Sequence, residues 1–320
     1  MSQNSPHGCP TIPMMARPVS VLRAPDGRLV ELKVHGCVWS GEFPENSLAA
    51  IRECLTAPVA RAEIDINLLR DGDFLVTRDT QLDSATTGSG PVRLTSMQDA
   101  AQLHCRWRGQ VWDHRPPLLS EVVDLLRAHD SPTVLELDVN DVDPWPYSRV
   151  DELARLVEPV RSRVIFGGCA DWNLRRLVQV DSRIRVGFTP TFYLDWVPTN
   201  IVPDELPGEV GAYGYRDRHP LARTRNQPPS DYLWERLNAL LRLVPGACEM
   251  HIRLSLFEHM QSDGLGDTAH RLHRAGLRVD VWTLDAGTDD WQARLTNAVW
   301  AGVDIITTNT ARQLAEVAIR

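Results

Sequence analysis

Lysine is nearly absent from this chain, because Lys33 is the only one among 320 residues and arginine carries the remaining positive charge. Long apolar runs are absent as well, since no stretch approaches the roughly 18 apolar residues that a membrane-spanning helix needs. The first twenty residues lack the charged start and apolar core of a secretory signal. These absences predict a protein with no integral membrane segment.

Cysteine spacing and net charge argue against further classes of protein. The six cysteines are scattered and never lie at Cys-x-x-Cys or metal-finger spacing, which favours reduced thiols in a cytoplasmic protein. A net charge of -8 and a pI near 5.7 argue against nucleic acid or an anionic membrane as a general partner. No Gly-x-Gly-x-x-Gly follows the first predicted strand, which removes the dinucleotide-binding fold.

What the sequence does contain is an alternation of strand-like apolar runs and helical patterns. Strands are predicted at 28–36, 62–68, 133–139, 163–167, 183–188, 247–254, 277–283 and 303–307, with a short hairpin strand at 74–76. Helices are predicted at 44–60, 119–129, 150–160, 171–180, 232–243, 262–275, 288–300 and 310–319. Such alternation indicates parallel strands joined by right-handed crossovers.

Eight successive strand–helix units favour a closed (β/α)8 TIM barrel over an open sheet. The barrel is predicted to be a single domain over residues 21–320, preceded by a flexible arm at 1–20. Residues 190–230, rich in Pro, Tyr, Trp and Arg, form a long excursion from the barrel pattern. In such barrels the active residues lie at the carboxyl ends of the strands.

Polar residues are concentrated between His35 and Asp79, at predicted strand ends. His35 ends the first strand, and Glu45 follows in a Pro-Glu-Asn-Ser turn. Glu63 and Asp65 lie two apart on the second strand, so both carboxylates can face one point. Carboxylate oxygens beside an imidazole predict a divalent-cation site at this end of the barrel.

The order of these motifs resembles the glycerophosphodiester phosphodiesterase family over residues 30–317. Its His-Arg-Gly and Pro-Glu-Asn-Thr motifs are similar to His35-Gly36 and to Pro44-Glu45-Asn46-Ser47, and its Glu-x-Asp strand is similar to Glu63-Ile64-Asp65. Further similar segments are Asp71-Gly72, residues 86–90, Leu135-Glu136-Leu137-Asp138, Val281-Trp282-Thr283 and residues 302–307.

The resemblance implies a phosphodiesterase acting on a small-molecule phosphodiester, with Mg²⁺ or Ca²⁺ as cofactor. It implies that the metal is held by four carboxylates, those of Glu45, Glu63, Asp65 and Glu136. His35 is the implied acid or base, because an imidazole can accept and donate protons near neutral pH. Substrate contacts are assigned to Asp138, Trp282 and His251.

Two positions depart from the family pattern. Arg78 precedes Asp79 where the family has a second histidine, and Asp138 stands where the family's strand motif has lysine. An arginine stays protonated, so Arg78 cannot shuttle a proton but can hold a phosphate, and we assign it that catalytic role. His251, or His219 in the long excursion, is a candidate for the missing acid.

These departures leave three functions open. The first is hydrolysis of a phosphodiester, or a lyase-like intramolecular transfer that releases a cyclic phosphate. The second is a binding or regulatory barrel that has lost catalysis. The third is a specialised-metabolism enzyme that uses the metal on a less anionic substrate. The oligomeric state is not predicted.

Overall fold

A computed structural model describes residues 18–195 and 227–317 of the chain. The predicted arm at 1–20 lies almost wholly outside the described residues, as do His219 and most of the predicted excursion at 190–230.

Eight parallel strands form a closed barrel, which confirms the predicted (β/α)8 fold. The strands of the protein, in chain order, are β1 (Val21–Arg23), β2 (Leu29–Val34), β3 (Arg61–Leu68), β4 (Phe74–Val76), β5 (Arg106–Trp107), β6 (Gln110–Val111), β7 (Val134–Val139), β8 (Val164–Gly168), β9 (Gly187–Phe188), β10 (Glu249–Arg253), β11 (Arg278–Trp282) and β12 (Ile305–Thr308). The barrel strands pair in the order β8-β7-β3-β2-β12-β11-β10-β9, and a parallel bridge between Phe166 and Val186 joins the two ends of this path.

Four short strands lie outside the barrel path. β1 pairs antiparallel with β2, and β4 pairs antiparallel with β3 as the predicted hairpin. β5 and β6 form a separate hairpin that the sequence pattern did not predict. Each of these two strands has only two residues, too few for a period-2 pattern to be recognised.

The helices surround the barrel. They are α1 (Leu48–Thr56), α2 (Met97–Ala100), α3 (Leu119–Ala128), α4 (Tyr147–Val157), α5 (Asp171–Val180), α6 (Pro229–Leu240), α7 (Leu254–Ser262), α8 (Thr268–Arg274), α9 (Trp291–Trp300) and α10 (Ala311–Leu314). The predicted start of the first helix at 44 was wrong, because the Ser47 side chain caps α1 by accepting from the Ala50 N–H. The helix predicted at 262–275 begins only at Thr268, after a turn in which Gly264 has a φ of +92°, and α7 before this turn was not predicted.

The strands divide the apolar and polar residues between the two faces of the sheet. On β3, Ala62, Ile64 and Ile66 belong to the apolar core, while Glu63 and Asp65 alternate with them and are also buried. Because adjacent residues of a strand face opposite ways, these carboxylates face the barrel interior. The interior is therefore polar.

Ion pairs fill the amino end of the barrel. Arg61 contacts Glu31 at 2.5 Å and Glu249 at 2.6 Å, and Arg278 contacts Glu31 at 3.1 Å. Arg61 and Glu249 are buried near the starts of β3 and β10. Residues at this end of a barrel serve stability, which leaves the opposite end for chemistry.

Candidate active site

A cavity of about 240 Å³ opens at the carboxyl ends of the strands. Six of the predicted site residues line it, namely His35, Glu63, Glu136, Asp138, His251 and Trp282. Two others, Glu45 and Arg78, line a neighbouring cavity of about 260 Å³. Eight of the nine predicted residues are thus gathered at one end of the barrel but divided between two cavities, and Asp65 lines neither of the two.

The register of two adjacent strands aligns the acidic residues. β3 and β7 pair in parallel, with Glu63 opposite Glu136 and Asp65 opposite Asp138. Glu63, Asp65 and Asp138 each offer a carboxylate oxygen, and these oxygens lie within 4.8 Å of one another. Three of these four carboxylates therefore form one compact acidic cluster.

The loops around the cavity hold Glu63 and Asp65 in place. The Gly36 N–H donates to Glu63 Oε2 at 2.8 Å. Gly36 has a φ of +56°, and a Cβ on it would lie 3.0 Å from Glu45 Cβ, so glycine is required at this turn. Asp65 Oδ2 accepts from Asn46 Nδ2 at 2.8 Å, and Asp65 Oδ1 accepts from Asn140 Nδ2 at 2.7 Å.

His35 has one ring nitrogen engaged and the other directed towards the acids. Its Nδ1 is 2.8 Å from Asn309 Oδ1, while Asn309 Nδ2 donates to Asp285 Oδ2 at 2.8 Å. Because the amide group of Asn309 is used as a donor to Asp285, its oxygen accepts from His35 Nδ1–H. His35 Nε2 is then unprotonated in the neutral ring, and it lies 3.9 Å from Glu63 Oε2.

Sequence reasoning missed Asn309 and Asp285 as residues that orient His35. Both follow strands of the barrel at their carboxyl ends, Asp285 after β11 and Asn309 after β12. Their position after barrel strands was the signal in the sequence that could have marked them as candidate site residues. It could not indicate contact with His35, since residues 35 and 309 meet only when β12 pairs with β2.

The chain's only lysine is buried in the same interior. Lys33 Nζ lies 2.6 Å from Glu136 Oε2 and 2.6 Å from Asp280 Oδ2. The other Glu136 oxygen is 3.4 Å from His251 Nδ1, and His251 Nε2 is 3.3 Å from Glu249 Oε2. Glu136, predicted as a metal ligand, and His251, predicted to contact substrate, thus lie together in a buried ion-pair cluster.

Burial and like charge make the acidic cluster costly in its fully ionised form. Burial, followed by the charges of Asp65 and Asp138, holds the pKa of Glu63 well above its usual range. Burial, followed by the charges of Glu136 and Asp65, raises the pKa of Asp138 to about 7. Any added positive charge would therefore be bound favourably between these side chains.

The pKa of Glu136 shifts in the opposite direction, because positively charged groups surround this carboxylate. Although burial acts to raise it, His251 and Lys33 hold the pKa of Glu136 below its ordinary value. The pKa of Lys33 is likewise held above its ordinary value by Asp280 and Glu136, against the effect of burial. Glu136 is therefore an anion whose charge is already compensated within the barrel.

Arg78 and Trp282 lie at the cavity mouths. The Arg78 side chain is 54% exposed, and its guanidinium is 4.0 Å from Glu45 and 3.7 Å from Asp79. Trp282 lies under the guanidinium of Arg253, whose Cζ is 4.3 Å from the ring centroid. Both side chains are therefore placed where a molecule entering the site would meet them.

The donor set fits a divalent cation. Glu63 is 3% exposed, and its Oε1 has no hydrogen-bond partner. A buried carboxylate oxygen without a partner is costly, and a cation would satisfy it. The acidic cluster offers only oxygen atoms, which hard cations such as Mg²⁺ and Ca²⁺ prefer.

Fold and site together define a (β/α)8-barrel protein with a carboxylate-lined mouth suited to a divalent cation. The model of the glycerophosphoryl diester phosphodiesterase family matches residues 39–312. The chain belongs to that family, which confirms the resemblance drawn from the sequence motifs.

Individual relatives are distant. The chain is 24% identical over 155 residues to a glycerophosphodiester phosphodiesterase of Caldanaerobacter subterraneus subsp. tengcongensis, covering 46% of this chain and 62% of that protein. It is similar to the crystal structure of a glycerophosphodiester phosphodiesterase from Agrobacterium tumefaciens, with a TM-score of 0.58 and 17% identity over 90% of this chain and all of the other.

Another similar structure carries a ligand. It is an Oleispira antarctica phosphodiesterase in complex with the product sn-glycerol-3-phosphate, with a TM-score of 0.57 and 20% identity over 89% of this chain and 96% of that one. At these identities the likeness concerns the fold. Within the described residues, every helix is too short or too polar to cross a bilayer.

Proposed function

We propose that the protein is a divalent-metal-dependent phosphodiesterase that cleaves a small phosphodiester at the carboxyl end of the barrel. One observation carries this proposal: His35 Nε2 lies 3.9 Å from the buried carboxylate of Glu63, which forms one acidic cluster with Asp65 and Asp138. A proton acceptor beside carboxylates that can hold a cation supplies the two components that cleavage of a phosphodiester needs. Family membership supports the same reaction class.

The cation is proposed to bind at Glu63 and Asp65, where Glu63 Oε1 lacks a partner. When bound, Mg²⁺ or Ca²⁺ would neutralise the phosphodiester and stabilise the charge that develops on its oxygens. Asn46 and Asn140 would keep Asp65 oriented, since each donates to one of its oxygens. Such fixed orientation by neighbouring donors is how proteins tune the ligands of a metal.

His35 is proposed to take the proton from the attacking hydroxyl at Nε2. Asn309, fixed by Asp285, holds Nδ1–H and thereby keeps Nε2 available as the base. If water attacks, the bond from phosphorus to the leaving oxygen breaks, the departing alkoxide takes a proton from solvent water, and a phosphomonoester and an alcohol form. If a hydroxyl of the substrate attacks, the same bond breaks, the alkoxide is protonated in the same way, and a cyclic phosphate forms.

Arg78, Trp282 and His251 are proposed to contact the substrate. Arg78 remains protonated and half exposed, so it would contact a phosphate oxygen without transferring a proton. Trp282 and His251 line the cavity and would form the wall against which the alcohol portion packs. The product bound to the Oleispira antarctica phosphodiesterase, sn-glycerol-3-phosphate, indicates the size of molecule to test.

A binding barrel without turnover is the second candidate function. Arg78 favours it, because an arginine stands where the family's sequence motif has a proton-transferring histidine. Such a protein would bind a phosphodiester at the same cavity and release it unchanged. The two candidates therefore differ in turnover and not in the location of the site.

The experiment compares the full chain with His35→Ala and with His270→Ala, whose side chain is exposed on α8. Glycerophosphodiesters and bis(p-nitrophenyl) phosphate are incubated with each protein in Mg²⁺, Ca²⁺ or a chelator. We expect metal-dependent turnover that His35→Ala lowers by about 100- to 10,000-fold and His270→Ala leaves unchanged. Tight binding of a diester without turnover would support the binding barrel instead.

A further inference from the structure

We infer that Asp138, and not Glu136, is the third carboxylate of the cation site, because Lys33 and His251 hold Glu136 in a separate ion-pair cluster. This inference rests on the proposed function, which requires a divalent cation at this end of the barrel. It departs from the expectation drawn from the sequence motifs, in which Glu136 is a ligand and Asp138 contacts substrate.

The strand register brings both residues to the same wall of the cavity. Glu136 and Asp138 are two apart on β7, so their side chains share the interior face. Each is opposite an acid of β3, Glu136 opposite Glu63 and Asp138 opposite Asp65. Register alone therefore permits either residue to complete the set with Glu63 and Asp65.

The side-chain contacts of Asp138 differ from those of Glu136. The ligand oxygen of Asp138 lies within 4.8 Å of those of Glu63 and Asp65, whereas that of Glu136 groups with His251 and Asp280. Glu136 Oε2 is 2.6 Å from Lys33 Nζ, and Glu136 Oε1 is 3.4 Å from His251 Nδ1. Both oxygens of Glu136 therefore face cationic or proton-donating groups of the protein.

The Lys33 cluster resists rearrangement because it is buried. Lys33, Glu136 and Asp280 are 2%, 3% and 0% exposed, respectively. Asp280 is further fixed by the Thr307 hydroxyl, which is 2.9 Å from Asp280 Oδ2 and 3.0 Å from Oδ1. Turning Glu136 towards a cation would leave a buried ammonium with one anion fewer, and burying a charge without its partner is costly.

Carboxylate oxygens of Glu63 and Asp138 are available to bind the proposed cation. Glu63 Oε1 is buried without a partner. No residue in the described ranges 18–195 and 227–317 donates a hydrogen bond to the Asp138 carboxylate or pairs with it within 4.0 Å, although Asp138 lines the cavity. Oxygen ligands of this kind select Mg²⁺, Ca²⁺ or Mn²⁺ over softer metals.

The test measures cation binding directly and does not depend on turnover. Mn²⁺, Mg²⁺ and Ca²⁺ are each titrated calorimetrically into the full chain, in wild type, Asp138→Asn and Glu136→Gln. Asp143→Asn is the matched control, since Asp143 is an exposed aspartate five residues further along the chain. Circular dichroism and thermal unfolding establish that each variant is folded.

We expect Asp138→Asn to raise the Mn²⁺ dissociation constant by about ten-fold or more, because even residues behind metal ligands contribute that much. Glu136→Gln should change it less than about three-fold, because Lys33 and His251 already engage both Glu136 oxygens, and the exposed control Asp143→Asn should change it as little. The reverse ranking would overturn the assignment of Asp138. If the wild type bound none of the three cations, the metal dependence of the proposed function would fail as well.

A second measurement covers the case in which Glu136→Gln does not fold. Crystals of the wild type soaked in Mn²⁺ are measured at the manganese absorption edge. An anomalous peak within about 2.6 Å of an Asp138 oxygen, and not of a Glu136 oxygen, is the expected result. A peak at Glu136 in a protein that turns over diesters would overturn the inference and leave the proposed function intact.

Discussion

Lys33 contributes more to the interior of this barrel than its single occurrence in the sequence suggests. Its ammonium lies 2.6 Å from two buried carboxylates on different strands, Glu136 on β7 and Asp280 on β11. One side chain therefore connects opposite parts of the barrel wall. All three of these residues line the candidate active-site cavity.

Replacing Lys33 with methionine should therefore destabilise the protein. Lys33→Met leaves Glu136 and Asp280 without their shared ammonium, and removing one partner of a buried ion pair costs about 3–5 kcal/mol. Because Asp280 and Glu136 raise the pKa of Lys33, its contribution is complete below the pKa of an unfolded lysine, about 10.4, and is lost only above it. Lys33→Met should therefore lower the free energy of unfolding by the same amount at pH 7 and at pH 9.

Urea unfolding of the metal-free protein measures this effect. Arg52→Met is the matched control, since Arg52 is an exposed cation on α1 and its loss should cost less than about 0.5 kcal/mol. A Lys33→Met variant as stable as the control would contradict the role given to the lysine.

At the scale of elements, β3 shows what sequence can predict. Its sequence alternates polar and apolar residues from Arg61 to Leu68, and the Glu-x-Asp pair within it has both carboxylates on one face. The barrel, its eight strand–helix units and the location of Glu63 and Asp65 near the carboxyl ends of the strands followed from such local patterns. These features need no knowledge of distant contacts.

Contacts between distant strands were not predictable in the same way. Lys33 meets Asp280 only because β12, between β2 and β11, brings these strands together, and the two residues are 247 positions apart. Likewise, the contact of His35 with Asn309 depends on closure of the barrel. No period or spacing in the chain encodes which of several interior charges will pair.

The position of the lysine within the barrel is the clearest element-scale difference from the motif pattern. Asp138 stands at the position where the family's strand motif has lysine, and the chain's only lysine stands on β2 instead. The motif pattern alone presents this as the loss of a cation from the site. In the folded barrel the Lys33 ammonium still lines the cavity, where it pairs with Glu136 and Asp280.

The amino ends of β3 and β10 give a prediction in acid. Although burial acts against it, Arg61 holds the pKa of Glu249 well below its usual range. A lowered pKa stabilises the fold above the unfolded value, about 4.3, and this contribution is lost as the pH falls below it. Glu249→Gln should therefore be less stable than wild type at pH 7, and the difference should narrow below pH 4.

Thermal unfolding between pH 3 and pH 7 checks this expectation. Glu316→Gln serves as the matched control, because Glu316 is exposed and should not alter the acid dependence. Unfolding temperatures of wild type and Glu249→Gln that stay parallel down to pH 3 would show that the Arg61 pair does not stabilise the fold.

At the scale of the whole molecule, the barrel divides structure from chemistry along its axis. The Arg61 ion pairs fill the amino end, the Lys33 cluster occupies the middle, and Glu63, Asp65 and His35 lie at the carboxyl end. Barrel enzymes place their active residues at that end, on loops that follow the strands. Residues at the carboxyl end of the barrel can therefore be substituted while the interior ion pairs still stabilise the fold.

The most direct test of the central claim is phosphorus NMR of a glycerophosphodiester incubated with the full chain in Mg²⁺ or Ca²⁺. A metal-dependent phosphodiesterase predicts that the diester resonance is replaced by that of a phosphomonoester or a cyclic phosphate. Addition of a chelator should stop the conversion, as should Glu63→Gln. A diester resonance that stays unchanged across the tested diesters and metals, or a conversion indifferent to chelator, would contradict the account.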